Sequence, residues 1–97
     1  MKLFLITAPD DFGGWDTYDS AVVSAKSAAD AKKINPSEFV THVKDGKWMG
    51  TYAKGGEYNQ DDCSSWVKYS RIKEVKAEYL GETKQERGVI LASFNAG

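Results

Sequence analysis

The run Arg87-Gly88-Val89-Ile90-Leu91-Ala92-Ser93-Phe94-Asn95-Ala96-Gly97 constrains this chain more than any other stretch. Val89, Ile90, Leu91 and Phe94 are β-formers packed too densely for a solvated loop. A lone strand is not stable in water, so it needs neighbours to pair with. A chain ending on such a strand, with almost no tail, is expected to use it to complete a sheet. The remaining strands must therefore be sought upstream.

Leu3 to Ala8 supplies one. Its apolar residues fall on both faces (Leu3 and Leu5; Phe4 and Ile6), which suits a central strand, and Pro9-Asp10-Asp11 stops it. Asp11-Phe12-Gly13-Gly14 reads as a loop. Tyr18 to Ala25 reads as a second strand, with Val22 and Val23 on opposite faces, and the loop length suits an antiparallel hairpin. Ser27 has the chemistry of an N-cap, and Asp30 falls where a helix dipole favours negative charge. Ala28, Ala29, Ala31 and Ile34 then give a short helix with a small-residue face, ended by Asn35-Pro36.

Phe39 to Val43 and Lys47 to Ala53 flank Asp45-Gly46, a pair that accepts the positive φ angles of a tight hairpin turn. A long loop runs from Lys54-Gly55-Gly56 through Cys63, and Ser64 and Ser65 open a short turn carrying Trp66. In Glu74 to Leu80, Val75, Ala77 and Tyr79 share one face and Lys76 and Glu78 the other. Gly81 to Arg87 turns the chain into the closing strand Val89 to Phe94. The expected fold is a single α+β domain over residues 1–97, a mainly antiparallel β-sheet with one short α-helix packed on a face.

With 97 residues, 41% hydrophobic and 28% charged, the chain can build a core without metal or disulfide. The single cysteine, Cys63, excludes an internal disulfide and fits an intracellular, reducing, cytoplasmic setting. The N-terminal apolar stretch is too short for a signal peptide, and no apolar run approaches the roughly 20 residues of a membrane-spanning helix. A net charge of −1 provides no bulk field toward nucleic acid or an anionic membrane.

Familiar chemistry is sparse. There is one histidine, His42, and no spacing of His and Cys suggests zinc. The Gly13-Gly14 and Gly55-Gly56 pairs do not make a phosphate loop. A Cys63–His42 dyad is the sole nucleophile–base pairing on offer, and nothing local lowers the thiol pKa. The expectation is a non-enzymatic protein with no cofactor and no metal.

Charge distribution says more than the total. Asp10, Asp11, Asp16 and Asp19 fall within ten residues without an intervening Lys or Arg; Glu57, Asp61 and Asp62 form a second acidic stretch. If the two loops meet, their carboxylates could line one edge, spaced to occupy the Arg and Lys contacts that hold a nucleic-acid backbone in a partner. The competing reading is that these aspartates serve their own turns. Of the aromatic residues, two of the three tryptophans are expected in or beside the core, and Tyr58, in a polar loop, is expected to be the most exposed. The candidate partner-binding set is Asp10, Asp11, Asp16, Asp19, Glu57, Tyr58, Asp61 and Asp62. Lys68, Arg71, Lys73 and Lys76 with Trp66 and Tyr69 form a rival nucleic-acid surface, weakened by the acids among them.

The segment Val75-Lys76-Ala77-Glu78-Tyr79-Leu80-Gly81-Glu82 followed by the closing run resembles the ending of a widespread group of small phage and prophage proteins. Tyr18-Asp19-Ser20-Ala21-Val22-Val23-Ser24-Ala25, the Ser27 helix and Asn35-Pro36 resemble their N-terminal half. The resemblance covers somewhat over half of the chain, departs over residues 39–62, and is nearly silent on activity. It implies a small protein that binds and inhibits a host protein complex. By analogy of class, this suggests an anti-CRISPR inhibitor that imitates DNA through its acidic loops at a CRISPR surveillance complex. A nucleic-acid-binding module or a phage assembly component is the alternative.

Overall fold

The computed structural model describes residues 1–62 and 65–95. Its first sheet has four antiparallel strands: β1 (Lys2–Thr7), β2 (Thr17–Ala25), β6 (Lys76–Glu82) and β7 (Gly88–Asn95), in the order β6-β1-β2-β7. A second, three-stranded sheet, order β3-β4-β5, is made by β3 (His42–Lys44), β4 (Lys47–Thr51) and β5 (Glu57–Asn59). Among the described residues one α-helix, α1, is a single turn (Ala28–Ala31), and a 3₁₀ segment covers Tyr69–Glu74. The fold class is thus α+β and mainly antiparallel, as expected, with two sheets in place of one. None of the helices among the described residues is long and apolar enough to cross a membrane.

The β1–β2 hairpin is the centre of the larger sheet, in register from Lys2↔Ala25 to Thr7↔Ser20. Alternation sends Phe4, Ile6, Ala21 and Val23 to one face, where all are buried. Leu3, Leu5 and Val22 take the other face and remain half-buried. The 83–87 connection lies at one end of this second face, where the Ser24 hydroxyl donates to the Gln85 carbonyl at 2.9 Å. β6 and β7 follow each other in sequence yet occupy opposite edges, because the hairpin already fills the middle of the sheet.

Ser27 caps α1 as its chemistry dictates: its hydroxyl accepts from the Asp30 amide at 3.1 Å, and an Asp30 carboxylate oxygen accepts from the Lys26 amide at 3.0 Å. In the small sheet, Asp45 and Gly46 adopt φ of 52° and 73°, the two positive values of a tight hairpin turn. At Gly50 a side chain is excluded by contact, because an added Cβ would lie 2.5 Å from the Tyr58 ring and 2.7 Å from the Phe39 carbonyl oxygen.

Trp48 fastens the two sheets into one core. It is 1% exposed, its indole N–H donates to the Val67 carbonyl at 2.9 Å, and its ring meets Tyr69 edge-on at 5.0 Å. Val67, Trp66 and Val75 then pack with Phe4, Ile6 and Val23 of the large sheet and with Ala31 and Ile34 beyond β2. Trp48 and Trp66 are the two core tryptophans that the size of the chain led us to expect.

Candidate functional site

The loop joining β1 to β2 carries the features most suited to recognition. Phe12 anchors it, edge-on to Trp66 at 6.2 Å, and the Phe12 amide closes a turn on the Pro9 carbonyl at 2.9 Å. Beyond Phe12 the backbone enters conformations that favour glycine, with φ of 148° at Gly13 and 113° at Gly14, and Asp16 adopts a left-handed φ of 60°. This unusual path is held from several sides. The Gly14 carbonyl accepts from the Thr17 hydroxyl at 2.9 Å and from the Asn95 amide group at 2.8 Å, while the Asp16 amide donates to the Asn95 carbonyl at 2.6 Å. The Tyr18 amide donates to the Ser65 carbonyl at 2.9 Å.

Between these fixed points stands Trp15, 74% exposed, the highest value among the large hydrophobic side chains left at the surface. A tryptophan this exposed gives up apolar burial on the order of 2 kcal/mol or more. These four hydrogen bonds, two before it and two after it, fix the backbone that keeps it there. The expectation that Tyr58 would be the most exposed aromatic is corrected: Tyr58 lies on β5, half-buried, with its ring 4.6 Å from Tyr52. The missed signal was Gly13-Gly14 immediately before Trp15, a backbone suited to lifting a side chain clear of the surface.

Of the two acidic stretches only Asp11 and Asp62 come near one another, with cations between them. Arg71 binds Asp11 and Glu74, each at 2.9 Å; Lys68 binds Asp62 at 3.0 Å; Lys76 reaches Asp10 at 3.5 Å. Phe12, Asp62, Lys68 and Arg71 line a hollow of about 290 Å³ where the loops meet. Glu57 belongs to a separate cluster on the small sheet, paired with Lys44 at 3.1 Å and His42 at 3.2 Å. The hydrogen bond from Lys44 holds the Glu57 carboxyl below its ordinary value, and the bond to Asp62 holds the Lys68 ammonium above its own. The edge is therefore a mosaic of both signs.

Asp61 is a correction. It is 8% exposed, and its Oδ1 accepts from the Trp48 amide at 3.2 Å and the Tyr69 amide at 2.9 Å. Its carboxylate ties β4 to the 3₁₀ segment and has no surface to offer a partner. Asp10, Asp16 and Asp19 remain exposed, Asp16 next to Trp15 in the chain, Asp10 with 95% of its side chain in solvent and Asp19 accepting from the Ser20 hydroxyl at 3.1 Å.

The rival basic surface lacks a stacking platform. Trp66 is 3% exposed, Tyr69 is half-buried against Trp48, and Lys68, Arg71 and Lys76 are engaged by the acids just named. Cys63, and with it the Cys63–His42 dyad, lies outside the described residues, as do Ser64, Ala96 and Gly97. His42 stands at the start of β3, half-buried, with Nδ1 2.8 Å from the Thr41 hydroxyl. A groove of about 630 Å³ runs between the 33–43 segment and the start of β7, lined by Pro36, Val40, Val43, Trp48 and Val89 with Lys33, Glu38, His42 and Arg87.

Comparison with protein families, with curated proteins and with solved structures finds no match to this chain.

Proposed function

We propose that this chain is a non-catalytic binding protein that engages a protein partner through its β1–β2 loop. Trp15 is the anchor, and Asp10, Asp11, Asp16 and Asp19 form the polar surround. The observation that carries the reading is an indole 74% exposed on a backbone fixed by hydrogen bonds to both flanks. Tryptophan is the residue most enriched among binding hot spots, and a pre-organised loop loses little entropy on docking.

The complementary partner surface is an apolar socket ringed by Arg or Lys. In its sharper form, the reading makes this a phage-derived inhibitor of a host complex, one that occupies a basic nucleic-acid channel such as that of a CRISPR surveillance complex. The acids around Trp15 supply the charge and the indole supplies most of the affinity. That division of labour differs from imitation of DNA by carboxylates alone, because Arg71, Lys68 and Lys76 neutralise much of the neighbouring acidic edge.

The test compares wild type, Trp15→Ala and a combined Asp16→Asn/Asp19→Asn variant in competition with DNA for a purified surveillance complex. Trp15→Ala should lose on the order of 30-fold in affinity or more, and the double Asn variant should lose less while flattening the salt dependence. Undiminished inhibition by a folded Trp15→Ala variant removes this loop from the account.

A further inference from the structure

The two edges of the large sheet differ in chemistry. β6 carries Lys76, Glu78 and Glu82, and its pairing with β1 slips at Leu80. Charges of this kind keep an edge from pairing with another chain. β7, at the opposite edge, has neither a charged residue nor a proline in Gly88–Asn95. Val89, Ile90, Leu91 and Phe94 are 40%, 46%, 68% and 46% exposed. Its register against β2 shifts at Ile90 and again at Asp19 of β2, so irregular pairing is common to both edges and the absence of charge is what sets β7 apart; its outer side is open.

We propose that β7 pairs with β7 of a second copy of this chain, antiparallel across a two-fold axis, making one continuous eight-stranded sheet. An open strand edge offers a row of N–H and C=O groups that only another strand satisfies in full. The two-fold places a residue opposite itself or its near neighbours, so like charges there would repel. On β7 there are none to repel in any register, whereas β6 against its own copy would oppose lysine to lysine or glutamate to glutamate in some registers.

The apolar surface points the same way. Leu91 lies opposite Val22, and with Leu5 these residues line a shallow depression on the open face of the sheet. Joining two copies at β7 would extend that strip across the axis. The exposed β7 side chains present on the order of 400 Å² of apolar surface per copy, divided between the two faces of the sheet, with Leu91 on the open face and Val89 and Phe94 on the other. Edge-to-edge pairing covers those side chains only in part, so with the main chain of both strands the pair would bury somewhat under about 1,000 Å², at the weak end for a specific interface. The dimer should accordingly be weak, with a dissociation constant in the micromolar range. This surface is separate from Trp15, and the inference does not depend on the loop reading.

Sedimentation velocity on the intact chain from about 5 to 500 µM tests it, with Leu91→Lys and Ile90→Lys on the proposed edge, Glu78→Lys on the other edge and Trp15→Ala on the loop. Wild type, Glu78→Lys and Trp15→Ala should show the same monomer–dimer equilibrium, and the two β7 variants should weaken it at least 30-fold. Amide hydrogen exchange on wild type at the two ends of the concentration range gives a readout that needs no variant: β7 amides should gain protection as concentration rises. A monomer throughout, association beyond the dimer, unchanged association of Leu91→Lys, loss of association in Trp15→Ala, or β7 exchange that ignores concentration would each overturn the proposal.

Discussion

Replacing Asp61 with alanine separates two accounts of the same residue. The acidic stretch around it invites a surface role, whereas the geometry gives it an internal one. A single oxygen, Oδ1, receives the Trp48 amide at 3.2 Å and the Tyr69 amide at 2.9 Å, in a residue 8% exposed. Alanine deletes that acceptor and leaves two backbone donors without it. Hydrogen bonds to a charged group are each worth about 1.5–3 kcal/mol, so the pair should cost roughly 3–5 kcal/mol. In a domain of this size that lowers the midpoint of thermal unfolding by on the order of 15–30 °C. Asp61→Asn keeps an oxygen at the same position and should cost only about 1 kcal/mol. Circular dichroism melts of the three proteins decide the matter. If Asp61→Ala melts within a few degrees of wild type, the carboxylate does not hold β4 to the 3₁₀ segment and the internal role is wrong.

Two further perturbations probe other joints of the fold. Gly50→Ala places a Cβ 2.5 Å from the Tyr58 ring and 2.7 Å from a backbone oxygen, and should destabilise by about 1–3 kcal/mol in urea unfolding. At Asp30, burial works against ionisation, but the Lys26 amide and the Arg87 guanidinium outweigh it and hold the carboxyl below its ordinary value. A depressed folded value means that the ionised side chain stabilises the fold above the ordinary carboxylate range and loses that contribution as pH falls through the lowered value. Asp30→Asn should therefore be less stable than wild type in denaturant melts at pH 7, with the gap narrowing below about pH 4; a gap that widens with acid would contradict the pairing.

Local signals survived into the fold because their causes are local. Asp45-Gly46 and Ser27 with Asp30 act through backbone angles and amides within a few residues, so their turn and cap were legible without coordinates. The central position of β1 was legible too, because both of its faces are apolar. The split into two sheets was not, since it depends on Trp48 reaching Val67 and Tyr69, 19 and 21 positions away. Nor was strand order: nothing in the Val75 and Val89 runs records that a hairpin stands between them. The same limit hid the roles of the acids. Asp61 and Asp62 are neighbours of one charge, yet one caps buried amides and the other sits in solvent against Lys68. Trp15 was counted among three tryptophans, and the Gly13-Gly14 pair before it was weighed only as a phosphate loop. What marks it is the Asn95 side chain binding the Gly14 carbonyl across 81 positions.

The loop account meets its most direct test in quantitative affinity capture from the native host, with wild type and Trp15→Ala as paired baits and equal melting temperatures confirmed beforehand. The account predicts a discrete protein complex retained by wild type and depleted at least tenfold on the alanine bait. Equal recovery of that complex on both baits would contradict it.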